Sequence, residues 1–357
     1  MKTQVFKIDP QKPDMDKIRA AAGVIKSGGL VAFPTETVYG LGADALNAKA
    51  VLTLFKAKRR PLDNPPIVHV CDVKDVQRLV KEISSEAKKL MKIFWPGPLT
   101  LILKRSAIVP DVTVAGLDTV AVRMPNNNVA LALIKESNCP ISAPSANLAG
   151  KPSPTSAEHV LEDLDGRIDA VLDAGPTSIG VESTVLDLTV CPPQVLRPGG
   201  TPFEALAKAI GKVELDPASV SDQALSQEKA RSPGVKHKHY APNAEMVLVE
   251  GDSVEAIVNK VIELVGLYEE RGKRVGVLGT DETVKYYRMS VVKSLGSRGD
   301  SAGLARNLFR LLREFDTENI DVIIAEGTPT TGLGLAVQNR LRKAAGYNIA
   351  KAQAIPH

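Results

Sequence analysis

Hydrophobic positions in the first half of the chain fall into short segments of two alternating kinds. Asp16–Ser27 carries apolar residues at the three- and four-residue spacing of an amphipathic helix, and Leu30–Phe33 follows as a continuous apolar run typical of a buried strand. Further helices and strands are predicted over Ala48–Lys58, Ile67–Val70, Ser84–Ile93, Leu99–Leu103 and Val120–Val122. This order predicts an α/β domain with a largely buried sheet.

A second periodic region begins near residue 246. Apolar runs and amphipathic segments alternate there over Met246–Val249, Ser253–Glu269, Val275–Leu278, Ser301–Phe315 and Val322–Ala325. Strands that alternate with helices favour a parallel sheet, so we predict a second, smaller α/β domain. The length of 357 residues agrees with two domains, because a single core usually stops growing at roughly 250 to 300 residues.

A polar stretch without clear periodicity separates these regions, and it is too long for an ordinary loop. The predicted boundaries are therefore 1–212 for the first domain, 213–243 for a linker or lid, and 244–357 for the C-terminal domain. Within the linker, Ser232–Pro242 gathers prolines, basic side chains and Tyr240 in a short run. That composition suggests a lid over a nucleotide, with a loop docked on the domain surface as the alternative.

Composition excludes several classes of protein. Hydrophobic residues make up 44% and charged residues 24%, which is ordinary for a globular chain, and a net charge of +4 permits a polyanionic partner without requiring one. The three cysteines show no spacing typical of a disulfide framework or a structural zinc site. The N-terminus lacks a signal peptide and no apolar run is long enough to span a membrane, so we predict a cytoplasmic protein.

Glycines follow the first predicted strand. Gly40, Gly42 and Ala45 formally fit a dinucleotide-binding pattern, but they lie too far beyond the apolar run to open a helix from a tight turn. Glycines that serve a turn are the preferred interpretation, and an oxidoreductase rests on these residues alone. No Walker A sequence occurs, so an ATP site would have to be built by other means.

Three groups of polar residues fit an anionic ligand. Lys58, Arg60 and Asn64 surround a predicted helix end, where basic residues either complement the helix dipole or clamp phosphates. Small hydroxyl and amide side chains in Ser142–Asn147 suit phosphate or ribose oxygens, although a plain turn is equally compatible. Arginines also end two predicted strands, where each needs an anion or an ion-pair partner. These are Arg123 and Arg197.

Together these motifs resemble the threonylcarbamoyl-AMP synthase family, whose catalytic unit is the YrdC-like domain. The ordered motifs are PTETVYGLG (34–42), K-x-R with DNP (58–65), WPGPLT (95–100), VAVRMP (120–125), SAPSAN (142–147), ESTV (182–185) and LRPG (196–199). SPGVKHKHYAP (232–242) and the C-terminal region resemble the longer, two-domain members. Arg59 departs from the glycine usual between the lysine and arginine of the K-x-R motif.

The resemblance implies a fold and an activity. The expected fold is a twisted, open YrdC-like α/β sheet domain joined by a long linker to a smaller Rossmann-like α/β domain. The expected enzyme is a nucleotidyltransferase that makes threonylcarbamoyl-AMP from L-threonine, bicarbonate and ATP, releases pyrophosphate, and so supports threonylcarbamoyladenosine modification of tRNA next to the anticodon. A downstream threonylcarbamoyl transferase would receive the product, and tRNA itself is a further possible partner.

The resemblance also assigns site residues. Those around threonine would be Thr37, His69, Arg123, Ala143 and Ser183, although a histidine in an apolar strand is more often simply a buried strand residue. Those on ATP would be Lys58, Arg60, Asn64, Thr119, Ser145, Ser153, Arg197 and Tyr240. The catalytic set would be Lys58, Arg60, Ser145 and Asn147.

Magnesium is expected on the ATP phosphates, and no metal site made of protein ligands is predicted, because the sequence offers no cluster of carboxylates. The main competing interpretation is a non-catalytic protein that binds double-stranded RNA, since the YrdC-like fold is associated with that activity. Such a protein would spread basic residues over a convex face, whereas here charge is concentrated with hydroxyl residues at strand ends.

Overall fold

The computed structural model describes residues 2–217, 239–288 and 291–353. The chain forms two compact units, of which the first is Met1–Ala149 with Ser153–Lys236, and the second is Gly150–Pro152 with His237–His357. Both are α/β, as the sequence predicts. Most of the predicted linker, including 232–238 of the proposed lid, lies outside the described residues.

The first unit is built on a mixed sheet of eleven strands. They are β1 (Gln4–Lys7), β2 (Val31–Phe33), β3 (Gly40–Asp44), β4 (Val68–His69), β5 (Leu99–Lys104), β6 (Thr119–Arg123), β7 (Ile141–Ser142), β8 (Ala170–Asp173), β9 (Thr184–Asp187), β10 (Gln194–Arg197) and β11 (Glu214–Leu215). Their order across the sheet is β1-β8-β2-β3-β7-β4-β6-β5-β9-β10-β11. Because β11 pairs with β10, this sheet continues just beyond residue 212.

Helices cover the sheet. They are α1 (Met15–Lys26), α2 (Ala48–Lys58), α3 (Val73–Leu79), α4 (Ser85–Phe94), α5 (Asn128–Ser137), α6 (Ala157–Leu164) and α7 (Phe203–Ile210). Asn47 accepts hydrogen bonds from the first turn of α2, which explains where that helix begins. Along β2, Val31 and Phe33 pack with the α1 and α5 side chains, whereas Ala32 packs with those of α2 and α6. This alternation buries both faces of the strand.

The glycine-rich segment after β2 is a strand, so the predicted turn is wrong. Gly40 and Gly42 lie in β3, which pairs antiparallel with β2 and β7. A Cβ atom on Gly42 would lie 2.8 Å from the Ile141 side chain and 2.9 Å from Phe33, and one on Gly40 would lie 3.2 Å from the Ala143 Cβ. The glycines therefore allow close packing across the sheet, and the segment has no helix-opening loop of the dinucleotide type.

The second unit contains a five-stranded sheet in which every pair is parallel, as predicted. Its strands are β12 (Glu245–Gly251), β13 (Val275–Gly279), β14 (Val291–Ser294), β15 (Val322–Glu326) and β16 (Ile349–Ala352), in the order β14-β13-β15-β12-β16. Its helices are α8 (Val254–Glu270), α9 (Ser301–Phe315) and α10 (Gly334–Ala344). The sequence did not predict β14 and β16, because most of their residues are only partly buried and each strand contains a lysine that interrupts the apolar run.

Tyr240, a predicted ATP contact, belongs to the second unit. Its side chain is buried, its ring centroid is 5.1 Å from that of Phe309, and the Arg340 guanidinium lies 5.5 Å from the ring. The backbone of Tyr240 is left-handed, with φ of 64°. Aromatic packing and the nearby guanidinium together hold this end of the linker segment in place.

His69 is a buried, neutral residue of the inner sheet. It lies on β4 between β7 and β6, with Nδ1 3.2 Å from the Ile67 carbonyl and its ring edge-on to Phe33. Burial, reinforced by the positive charge of Arg123, lowers the pKa of the imidazole to about 3. At neutral pH the ring therefore carries no charge.

Substitution of His69 tests whether the imidazole is held neutral in the folded protein. The imidazole takes up a proton near pH 6.5 in the unfolded chain but only near pH 3 in the folded one, so the unfolded state binds more protons between these values and stability falls as the pH drops. Between neutral pH and about pH 5, this group should lower the free energy of unfolding by about 2 kcal/mol. In His69→Gln this contribution should disappear.

The measurement is urea unfolding at the two pH values, followed by fluorescence of Trp95, the single tryptophan, which is buried in the first unit. Wild type and His69→Gln should differ in how their unfolding free energies change with pH. If both lose the same free energy on acidification, His69 is not held neutral.

Candidate active site

Two of the predicted site residues, Thr119 and Arg123, lie on the same face of β6. On β6, Val120 and Val122 pack into the core with the α4 and α7 side chains, so Thr119, Ala121 and Arg123 face the opposite way. Thr119 and Arg123 begin and end the same five-residue strand, which separates them by roughly 13 Å at about 3.3 Å per residue. A site that uses both residues must therefore extend over roughly 13 Å.

Arg123 is the centre of the first polar cluster and is 3% exposed. Its Nη1 donates to Thr37 Oγ1 at 2.9 Å, its Nε donates to the Gly97 carbonyl at 3.2 Å, and its Nη2 lies 2.6 Å from Glu36 Oε2. His69 is its direct neighbour on β4. Of the two partners that the sequence left open for Arg123, an anionic ligand or an ion pair, the structure shows the ion pair, with Glu36.

Thr37 is held in position by a local turn. The Thr35 hydroxyl accepts from the Thr37 and Val38 backbone N–H groups and lies 2.8 Å from Thr37 Oγ1. The Thr37 carbonyl accepts from the Gly180 N–H group. A threonine hydroxyl that bonds its own following backbone fixes a tight turn. This explains the hydroxyl residues that follow β2.

Ser183 and Arg197 form a second cluster. The Arg197 guanidinium donates to the Ser183 carbonyl at 3.0 Å and to Ser183 Oγ at 3.2 Å, and Ser183 Oγ lies 2.8 Å from Thr100 Oγ1. This packing needs glycine at position 199, where a Cβ atom would lie 2.3 Å from the Ser183 carbonyl carbon. The ESTV and LRPG motifs therefore meet through Ser183, a predicted threonine contact.

Lys58 holds the SAPSAN loop. Its side chain is 1% exposed, and its Nζ donates to the backbone carbonyls of Ser145 and Asn147. The Ser145 hydroxyl donates to Asn147 Oδ1 at 2.6 Å. Three of the four predicted catalytic residues are thus joined in one network.

Arg60 lies two residues beyond Lys58, after a left-handed turn. Arg59 ends α2 with φ of 51°, a conformation that glycine adopts without strain. Glycine, which the family resemblance leads us to expect at this position, would fit the same turn. The Arg60 Nε then donates to the Asn64 carbonyl at 3.0 Å, which brings together two predicted ATP contacts.

The remaining predicted contacts are spread around these clusters. The Ala143 N–H group donates to the Ile67 carbonyl, which ties this residue to the strand that carries His69. Ser153 donates its hydroxyl to Glu182 Oε1 at 2.6 Å. Tyr240 lies in the second unit.

Sequence reasoning missed two buried carboxylates, Glu36 and Glu182, although both lie inside the quoted motifs. The sequence feature that could have revealed these carboxylates is a glutamate within a run of small and apolar residues.

The described residues contain neither a cluster of metal-binding side chains nor a membrane-spanning helix. Within residues 2–217, 239–288 and 291–353, no group of three or more His, Cys, Asp or Glu side chains is arranged to hold a metal ion. No helix among the same residues is long and apolar enough to cross a membrane.

Comparison with known families and proteins gives consistent matches. The family profile described as "Telomere recombination", which groups Sua5, YciO and YrdC, matches residues 23–199, and the profile described as "Threonylcarbamoyl-AMP synthase, C-terminal domain" matches residues 202–346. Threonylcarbamoyl-AMP synthase of Pyrococcus abyssi is 53% identical over 335 residues, which cover 94% of this chain and 96% of the relative. The Bacillus subtilis enzyme of the same name is 50% identical over 343 residues, which cover 96% and 94%.

Solved structures agree with this result. The crystal structure of P. abyssi Sua5 complexed with L-threonine matches at a TM-score of 0.92 and 51% identity, covering 98% of this chain and 99% of that one. The crystal structure of E. coli YciO covers 55% of this chain and 96% of its own, at a TM-score of 0.51 and 26% identity. Both family profiles, and relatives similar over nearly their full length, lead to one conclusion: the chain belongs to the threonylcarbamoyl-AMP synthase family, in the form that carries a C-terminal domain.

Proposed function

We propose that the first unit joins L-threonine, bicarbonate and ATP into threonylcarbamoyl-AMP, as the family name describes. The observation that carries this proposal is the buried Arg123, which has Thr37, His69 and Glu36 around it. A charged guanidinium kept almost out of water is a receptor for a carboxylate. In the proposal, that carboxylate belongs to threonine.

The reaction has two bond-forming steps. The threonine amine attacks the carbon of bicarbonate, a C–N bond forms, and water leaves to give a carbamate. An oxygen of the carbamate then attacks the α-phosphorus of ATP, and the bond from this phosphorus to the bridging oxygen breaks, which releases pyrophosphate. Both steps can be accelerated by positioning and by neutralisation of charge, without a covalent enzyme intermediate.

The proposed threonine contacts are Thr37, His69, Arg123, Ala143 and Ser183. Arg123 would bind the α-carboxylate. A neutral His69 suits this position, because a second positive charge beside Arg123 would be repelled by it.

The proposed ATP contacts are Lys58, Arg60, Asn64, Thr119, Ser145, Ser153, Arg197 and Tyr240, and the proposed catalytic set is Lys58, Arg60, Ser145 and Asn147. The hydrogen bonds of Lys58 to two loop carbonyls support a role in shaping the loop that faces the phosphates. Magnesium would enter with ATP, bound mainly by phosphate oxygens and water.

We further propose that the product passes to a threonylcarbamoyl transferase that modifies tRNA, and that the enzyme works in the cytoplasm. We favour transfer of the product to that transferase over direct binding of tRNA to this chain. The double-stranded RNA-binding alternative is weaker than the enzyme, because Lys58, Arg123 and Arg197 are buried, whereas contacts to an RNA backbone need exposed cations.

The first prediction concerns the substrates. If the carbamate is the attacking group, pyrophosphate release must require threonine, bicarbonate and ATP together. We expect release to fall to background when any one is omitted, measured with a coupled pyrophosphate assay in buffer freed of carbon dioxide. Release that continues unchanged without threonine would contradict the proposed reaction.

The second prediction separates the two arginines. Arg60→Lys and Arg123→Lys each keep the charge but lose the planar fork, so each should lose about 10- to 100-fold in kcat/KM for its own substrate. The KM for ATP should rise chiefly in Arg60→Lys, and the KM for threonine chiefly in Arg123→Lys.

Arg78→Lys, at an exposed position on α3, is the matched control and should behave as wild type. The assignment of ligands is refuted if Arg60→Lys and Arg123→Lys raise both KM values equally.

A further inference from the structure

The carboxylate of Glu36 has an unusual hydrogen-bonding environment for a buried acid. The residue is 7% exposed, and Oε2 lies 2.6 Å from Arg123 Nη2. The two groups are close but not aligned, and neither carboxylate oxygen accepts a hydrogen bond from any residue in the described part of the chain. Arg123 Nη2 likewise donates no hydrogen bond there.

The rest of Glu36 is firmly held. Its carbonyl accepts from the Ile179 N–H group at 2.8 Å and from Ser178 Oγ at 3.3 Å. The next residue, Thr37, is fixed by Thr35 and Arg123. A rigid backbone thus holds a carboxylate that has charge compensation but no hydrogen bonds. Buried acids normally accept several, so such an atom calls for an explanation.

An amino acid supplies what this pair lacks. At neutral pH threonine carries an ammonium and a carboxylate on one carbon. The carboxylate can accept from Arg123 Nη2, and the ammonium can donate to the open lone pairs of Glu36. The two charges of the pair match the two charges of the ligand, so binding would replace the misaligned contact with hydrogen bonds between charged groups.

Beyond binding, the reaction needs a proton acceptor, because an ammonium has no lone pair with which to attack bicarbonate. On the basis of the proposed function, we propose that Glu36 is a catalytic residue that binds the ammonium of threonine and takes one proton from it. The freed amine then forms the C–N bond to the carbon of bicarbonate, and water leaves. The proton on Glu36 passes to solvent before the next turnover.

The other charged and titratable groups around the pair do not fit this role. His69 is held neutral, and its pKa of about 3 means that it cannot keep a proton at neutral pH. Glu182 already accepts the Ser153 hydroxyl. Arg123 and Arg197 are permanent cations. Among residues 2–217, 239–288 and 291–353, Glu36 thus combines an ion pair with Arg123 and carboxylate lone pairs that accept no hydrogen bond.

The test is Glu36→Gln, which keeps the shape of the side chain but removes its charge and basicity. We expect kcat/KM for threonine to fall by about 100-fold or more near pH 7, in the range that general bases contribute. The loss should shrink as the pH is raised, because threonine then arrives with its amine already deprotonated. 4,4,4-Trifluorothreonine, whose amine loses its proton more easily, should be affected much less than threonine at the same pH.

Two further variants keep the test decisive. Glu36→Asp keeps a negative partner for Arg123, so the site should fold. It should lose about 10-fold in kcat/KM for threonine while keeping the pH dependence of wild type. Glu82→Gln, at an exposed position, is the matched control and should leave kinetics unchanged. Folding of each variant is checked by fluorescence of Trp95.

The outcomes separate two failures. If wild type releases no pyrophosphate with threonine, the proposed function is wrong. If wild type is active and Glu36→Gln loses the same factor at every pH and with both amino acids, Glu36 only positions Arg123 and the inference is overturned. Wild-type kinetics in Glu36→Asp would also overturn it.

Discussion

A guanidinium that cannot lose its charge has to be given partners wherever it is buried, and the first unit is arranged around one such group. Arg123 ends an inner strand, and its contacts Glu36, Thr37 and Gly97 come from two separate segments. These contacts fix where the PTET turn lies after β2 and where the WPGP turn lies before β5. The proposed amino-acid site is thus a consequence of folding around one buried cation.

A second buried cation organises the other half of the site. Lys58 is nearly inaccessible and binds the carbonyls of Ser145 and Asn147, so its charge shapes the SAPSAN loop. Arg60, two residues further on, is more exposed and differently placed because Arg59 turns the chain through a left-handed conformation. The two cations of the K-x-R motif therefore have different tasks. Lys58 holds the loop, and we propose that Arg60 binds phosphate.

Sequence patterns predicted much of this fold, and the failures have physical reasons. Helix α2 has the predicted bounds, because an asparagine cap and a basic last turn mark its ends. Strand β3 was mistaken for a turn, because its glycines are selected by contacts with Phe33 and Ile141 that no local pattern contains. Glu36 was missed for a similar reason, since its partner Arg123 is distant in sequence. The family resemblance identified candidate site residues, but only the structure shows which of them contact one another.

The central claim is that the carbamate of threonine becomes joined to the α-phosphate of ATP in this active site. It is tested most directly by incubating the protein with 15N-threonine, 13C-bicarbonate and ATP and examining the products by NMR and mass spectrometry. The account predicts an AMP conjugate in which 13C is bonded to 15N, formed together with pyrophosphate. An AMP conjugate of threonine without 13C, or ADP in place of pyrophosphate, would contradict it.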